Sequence, residues 1–269
     1  MTTDTVSTLM RSGEIEWNAT GELRFHGTAQ AVFQWVDAAF ERLAREHGAH
    51  PQSAPEAIAG ETLERAGYFD AFPGMGIPAA SGAAMWLPPA VCYHAYPDLA
   101  GRRLDATRLV TLACGCGRNE PVAPENPGRL QRFRMREVVF VGAPTAVAAE
   151  REAWMTRGQS FAAAIGLVST LVPATDVFFG AAGRGQRLIQ QLKGLKYELR
   201  LDAGPAGNIA VASFNLHESF FARRFDIHLS DGTIAASGCA AFGIERWTLA
   251  VLAQLDPEAA AGLALRGES

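Results

Sequence analysis

No apolar run in these 269 residues reaches the length that a membrane-spanning helix needs. The opening residues, MTTDTVSTLM, lack the charged, apolar and small-residue succession of a secretory leader. Cysteine is scarce. Four in a chain this long do not make a disulfide scaffold, and a cytoplasmic protein with reduced or metal-bound thiols is expected. Basic excess is missing too. With 24 Lys and Arg against 28 Asp and Glu the net charge is −4, which disfavours tRNA as a substrate, because phosphate contacts call for surplus cations. No repeat and no interdomain linker breaks the chain. With 48% apolar residues it can bury one sizeable core, so a single α+β domain over 1–269 is expected. Residues up to about Asn18 are polar, and are read as loosely packed or as a short edge segment.

The most informative stretch that is present runs from Cys114 to Gly142. It reads as strand, loop, strand. Leu109 to Cys116 is apolar and β-branched, a loop rich in Pro, Asn and Gly follows, and Arg132 to Val141 alternates before turning wholly apolar. Arg118 and Glu120 stand at the mouth of this hairpin, with further arginines opposite. Such charges form either a solvated loop or a grip on a phosphate, for which the arginine fork is suited.

Around this hairpin the chain alternates helices and strands. Gly27 to His47 is helical, with a stripe of Ala31, Phe33, Val36, Ala39, Phe40 and Leu43, and Gly48 as a stop. A second helix is expected over Pro55 to Ala66, a long one over Ala146 to Leu167, and another over Gly243 to Leu255. Lys196 to Leu201 and Ile209 to Phe214 alternate as strands, and Pro173 to Gly180 reads as a loop or short strand. The basic run Arg184 to Lys196 is a solvated helix face or a docking patch for an acidic partner. Cys92 is a buried small hydrophobe or a ligand; with His94 it would point one way if both lay on a strand. Cys114 and Cys116 read as sheet core, because C-x-C alone is unspecific.

Four stretches carry a resemblance. Gly117-Arg118-Asn119-Glu120, followed by Arg129-Leu130-Gln131-Arg132-Phe133 and then Glu137, resembles motif 2 of class II aminoacyl-tRNA synthetases in the seryl subgroup. Gly238 to Trp247 resembles motif 3, and Ser213-x-Asn215 resembles the same subgroup. The helix near residue 29 and the following His50-Pro51 resemble motif 1, which implies a homodimer. The likeness covers nearly the whole chain and implies an antiparallel sheet flanked by helices, holding ATP with Mg2+. It further implies that Arg118 contacts the α-phosphate, Glu120 lies near the adenine, Phe133 stacks on it, and Arg246 holds the far phosphates. Arg118 and Arg246 are the catalytic residues in that scheme, and phosphate chemistry of this type depends on such positioning and charge stabilisation.

An atypical, zinc-dependent branch of these enzymes includes the amino acid:[carrier protein] ligases, and its Cys, Glu and Cys ligands correspond to Cys92, Glu137 and Cys239. The resemblance implies one Zn2+ per chain, whose open position takes the α-amino group of a small amino acid, with Glu137, Ser213 and Asn215 around the substrate. The residues alone leave another role for Glu137, as an ion-pair partner of Arg134 or Arg136. No tRNA-gripping domain precedes the motif 1 helix, as in the ligases that aminoacylate the phosphopantetheine thiol of an acyl or aminoacyl carrier protein. Glycine and alanine are that family's substrates. One departure stands out: Ile209 to Ala212 holds no acid for the ATP-bound magnesium, and Glu198 in the neighbouring strand is the substitute. A synthetase-like binding protein without catalysis and, behind it, a genuine aminoacyl-tRNA synthetase are the competing readings.

Overall fold

The computed structural model describes residues 5–18, 21–80, 84–121, 126–175 and 190–266. Its frame is a seven-stranded sheet made of β1 (His50–Pro51), β2 (Arg108–Gly117), β3 (Arg132–Gly142), β4 (Ser169–Pro173), β5 (Lys196–Asp202), β6 (Asn208–Glu218) and β7 (Ala236–Gly243). The spatial order is β1-β2-β3-β7-β6-β5-β4. All neighbours are antiparallel except β1 and β2, which run parallel. β2, β3 and β5 sit within a residue of their expected limits, whereas β6 runs four residues past Phe214 to Glu218, β4 ends at Pro173 where the expected loop or short strand was to begin, and residues 236–243, read as a turn opening a helix, form β7.

Alternation divides the sheet into two faces with different tasks. On one face Val138 and Phe140 of β3, Leu199 and Leu201 of β5, Phe214 of β6 and Phe242 of β7 are buried in the larger core. Helices α1 (Gly27–Glu46), α2 (Pro144–Ala164) and α4 (Ile244–Gln254) cover this face, while the short α3 (Phe220–Phe225) belongs to the other. Phe40 of α1 stacks on Phe242 at 4.1 Å, with Trp247 of α4 edge-on at 5.0 Å, so aromatic rings tie helix to sheet. The buried face of α1 is Ala29, Val32, Trp35, Val36, Ala39, Phe40 and Ala44. It is centred about a residue away from the stripe read in the sequence, so Ala31, Phe33 and Leu43 lie at its margin. Gly238 of β7 sits where the ring of Phe140 crosses the strand. An added Cβ would meet that ring at 2.3 Å and the Asn215 carbonyl oxygen at 2.6 Å.

Three expectations are corrected. The N-terminal residues are not loosely packed: Thr5–Ser12 is helical, Ile15–Trp17 pairs with Leu23–Phe25 in a two-stranded sheet of its own, and Val6 and Ile15 are buried. The helix expected over 55–66 is shorter, Gly60–Arg65, because Ile58–Ala59 pairs with Met85–Trp86 first. Cys92 and His94 do not share a strand face; Val91–His94 is a turn of 3-10 helix. Part of the basic run, Arg184 to Ile189, and the end of the expected 173–180 segment lie outside the described residues. Among the described residues no helix is long and apolar enough to cross a membrane.

Candidate active site

The second face of the sheet carries nearly all the residues singled out above. On β3, Phe133, Met135 and Glu137 point to this face, while Arg134 and Arg136 point to the other. Arg134 and Arg136 are neutralised there by Asp37 of α1, at 2.9 and 2.6 Å, and Arg136 also by Glu41 at 2.9 Å. The ion-pair role for Glu137 is thereby removed. Its carboxylate is completely buried, and Oε1 accepts from the Val91 amide at 2.7 Å. Its Oε2 has no hydrogen-bond partner.

Two thiols meet this carboxylate. Ala241 of β7 lies opposite Glu137, which places Cys239 diagonally beside it, and the 3-10 turn brings in Cys92. One ligand atom from each of Cys92, Glu137 and Cys239 lies within 4.8 Å of the others, and all three side chains are buried. Hydrogen bonding to Cys239, burial and the charge of Glu137 push the Cys92 thiol well above its ordinary range. Cys239 is pulled down by its hydrogen bond with Cys92, but burial and Glu137 leave it raised. Burial also raises Glu137 itself. Three groups that resist ionising together, with one carboxylate oxygen orphaned, form a donor set that a soft divalent cation such as zinc fits. Cys114 and Cys116 are fully buried core residues on the same face of β2, as expected.

Next to the thiols, β2 runs out into Arg118. Its guanidinium lies 5.2 Å from the centre of the Phe133 ring, and its Nε donates to the Pro89 carbonyl at 2.8 Å. Glu120 is 3.4 Å from Arg129 and 4.0 Å from Arg118. Arg246, in the first turn of α4, donates to the Gly128 and Ala210 carbonyls at 2.9 and 3.0 Å, tying the hairpin loop to β6. Burial, then repulsion from Arg118, lowers its pKa, while Glu120, Glu198 and Glu245 oppose this. The register of β5 against β6 sets Glu198 directly opposite Ser213, so the two share a face. Arg200 lies 3.2 Å from Glu198 and Lys196 lies 3.7 Å away. Asn215 Nδ2 donates to Ser213 Oγ at 3.2 Å and to Cys239 Sγ at 3.4 Å. Arg118, Phe133, Arg246, Glu198, Ser213, Asn215 and the three donor residues thus occupy one face of the sheet or its rim.

No family model matches the sequence. Amino acid–[acyl-carrier-protein] ligase 1 of Bradyrhizobium diazoefficiens is 33% identical over 245 residues, covering 77% of this chain and 72% of the relative. The chain belongs to the amino acid–[acyl-carrier-protein] ligase family. The seryl-tRNA synthetase of Methanopyrus kandleri, solved with the tRNASec of A. aeolicus, superposes with a TM-score of 0.80 at 20% identity. That superposition covers 94% of this chain and 57% of the other. The seryl-tRNA synthetase of Pyrococcus horikoshii, solved with ATP, gives 0.76 at 16% identity, covering 93% and 58%. The fold is therefore the α+β fold of class II seryl-tRNA synthetases, and this chain spans a little over half of the synthetase chains it matches.

Two residues at this ligase-family site escaped the sequence reading. His217 continues the alternation of Ser213 and Asn215 onto the same face, a signal legible as Ser-x-Asn-x-His. Glu245 lay hidden beside Arg246. Both of its carboxylate oxygens accept from the Arg134 amide, at 2.8 and 3.0 Å, and burial lifts its pKa from 4.5 to about 7. An acid with a raised folded-state pKa keeps its proton where the unfolded chain has lost it, so stability falls as pH rises from about 4.5 to about 7. At about 1.4 kcal/mol per unit the decline amounts to roughly 3 kcal/mol. Glu245→Gln, which keeps an acceptor for the Arg134 amide, should flatten it. Denaturant unfolding at pH 5 and pH 7.5 measures the difference; an equal decline in both proteins would place the titration elsewhere.

Proposed function

We propose that this chain activates a small amino acid, glycine or alanine, with ATP and passes the aminoacyl group to the phosphopantetheine thiol of a carrier protein. The observation that carries this reading is the convergence of Cys92, Glu137 and Cys239 on the sheet face that also bears Arg118 and Phe133, in a chain of this family. In the first step a carboxylate oxygen of the amino acid bonds to the α-phosphorus of ATP, the bond to the β-phosphate oxygen breaks, and pyrophosphate leaves. In the second step the carrier thiol attacks the aminoacyl carbonyl, AMP leaves with the C–O electron pair, and the thiol proton passes to solvent. The second nucleophile comes from the partner, so none is required of the protein.

Each residue has a role in this scheme. Arg118 holds the α-phosphate and stabilises the charge that builds there, a task that suits a guanidinium already braced by Phe133 and Pro89. Phe133 stacks on the adenine and Glu120 lies near it. Arg246 holds the far phosphates, and Glu198, facing Ser213, supplies the carboxylate for the ATP-bound Mg2+ that Ala210 does not. Cys92, Glu137 and Cys239 would hold one Zn2+, with Ser213 and Asn215 beside the substrate. A bound zinc supplies Lewis acidity at its open position, which selects a neutral α-amino group and leaves the carboxylate free to react. The scheme has no tRNA, in keeping with the net charge of −4. A homodimer is part of the reading: β1 is the sheet's end strand, with exposed residues and a partner on one side only.

Pyrophosphate exchange over a panel of amino acids, with metal content read on the same sample, tests the proposal. Exchange with glycine or alanine together with one zinc per chain is the expected result. Silence with every small amino acid would sink the enzymatic reading, and zinc without exchange would mark a synthetase-like binding protein. Aminoacylated tRNA in a charging assay would overturn the carrier protein as acceptor.

A further inference from the structure

The sulfur of Cys239 is approached by two nitrogens. One is the Asn215 amide at 3.4 Å; the other is Nε2 of His217 at 3.8 Å. At the far side of the imidazole, Nδ1 lies 3.0 Å from the Tyr96 hydroxyl and 3.4 Å from the Ser237 hydroxyl. A hydroxyl that donates to Nδ1 leaves the ring proton on Nε2, the nitrogen 3.8 Å from the sulfur.

The shell behind the imidazole is rigid. Tyr96 and Ser237 are fully buried. The Tyr96 ring stacks on Phe221 of α3 at 4.3 Å, and Phe221 meets the imidazole edge-on at 4.9 Å. The strand α3 follows, β6, delivers Asn215 and His217 from one face, two residues apart. Nothing in the proposed reaction uses His217, Tyr96 or Ser237. A phenol and an alcohol buried on one imidazole edge are costly to bury unless each is hydrogen-bonded, so the arrangement holds the ring in one orientation.

We propose that His217 is a positioning residue of the metal centre: its Nε2–H donates to Cys239 Sγ, in a tautomer fixed by Tyr96 and Ser237. This rests on the reading of Cys92, Glu137 and Cys239 as metal ligands. A donor to a ligating thiolate takes up part of the negative charge that the sulfur would otherwise give to the cation. It also fixes the direction of the sulfur lone pairs. With Asn215, His217 keeps Cys239 aimed and moderately donating, which leaves the cation a stronger acceptor for an amine.

Zinc affinity by competition with a chromogenic chelator, and the thiolate-to-cobalt charge-transfer band of the Co2+-loaded protein, test this without recourse to activity. His217→Ala should weaken zinc binding by about 10–100-fold and shift the cobalt band, the range expected when an outer partner of a metal ligand is lost. Tyr96→Phe keeps the ring stacked on Phe221 and removes only the hydroxyl. It should shift both readouts in the same direction by less, and it decides the matter if His217→Ala fails to fold. Wild-type affinity and an unmoved cobalt band in Tyr96→Phe and in folded His217→Ala would overturn the role of His217 while leaving the metal site standing. A wild-type protein that takes up no zinc would remove the metal reading, and this inference with it.

Discussion

Arg118→Ala is expected to reduce amino acid-dependent pyrophosphate exchange by at least 10²–10³-fold, the order lost when one preorganised donor to a developing oxyanion is removed. The guanidinium is only partly buried, at the mouth of the hairpin, and its contacts are the Phe133 face, the Pro89 carbonyl and a 4.0 Å approach to Glu120. None of these is core packing, so the thermal midpoint should move little. The distinction matters, because a variant that lost activity by unfolding would say nothing about the phosphate. Arg118→Lys keeps the charge but not the fork, and should recover only a part of the rate. Undiminished exchange in Arg118→Ala would show that the hairpin is not the phosphate site.

Cys239→Ser should abolish stoichiometric zinc binding, and amino acid activation with it. Serine keeps the size of the side chain, so the sheet around β7 persists, but a hydroxyl is a far poorer ligand than a thiolate. The buried carboxylate of Glu137 has an oxygen, Oε2, without a hydrogen-bond partner, and Glu137 and Cys92 without Cys239 cannot complete the set. Metal analysis of the purified variant reads the result directly. One zinc per chain in Cys239→Ser would move the metal elsewhere in the molecule, and activation without zinc would separate the amino acid site from the three donors.

Much of the site follows from a single repeating fact, the two-residue period of a strand. With Arg132 to Gly142 a strand, Glu137 faces away from Arg134 and Arg136, which removes the ion-pair role that the residues alone had left open. The same period puts Ser213, Asn215 and His217 on one face, although His217 was passed over because nothing in the sequence names its partners. Tyr96 and Ser237 lie 121 and 20 residues away from it in the chain. The strand-like reading of Cys92 and His94 failed for a related reason. A short apolar run beside prolines does not distinguish an extended segment from a turn of 3-10 helix, and packing against the sheet chose the turn.

The sequence by itself determined strands β2, β3, β5 and most of β6, the long helices and the hairpin that carries Arg118, because alternation, helical spacing and punctuation by Gly and Pro are local properties of the chain. It also determined, through resemblance, the family and the identities of the three donor residues. Only the tertiary structure decided that these three meet within 4.8 Å, all of them buried, that Glu198 faces Ser213 across the register of two strands, and that an imidazole backed by two hydroxyls stands behind Cys239. Those are distances between residues remote in sequence. They are set by which strands pair, and in what register, to bury the apolar faces, a choice made by the whole core rather than by any stretch of the chain.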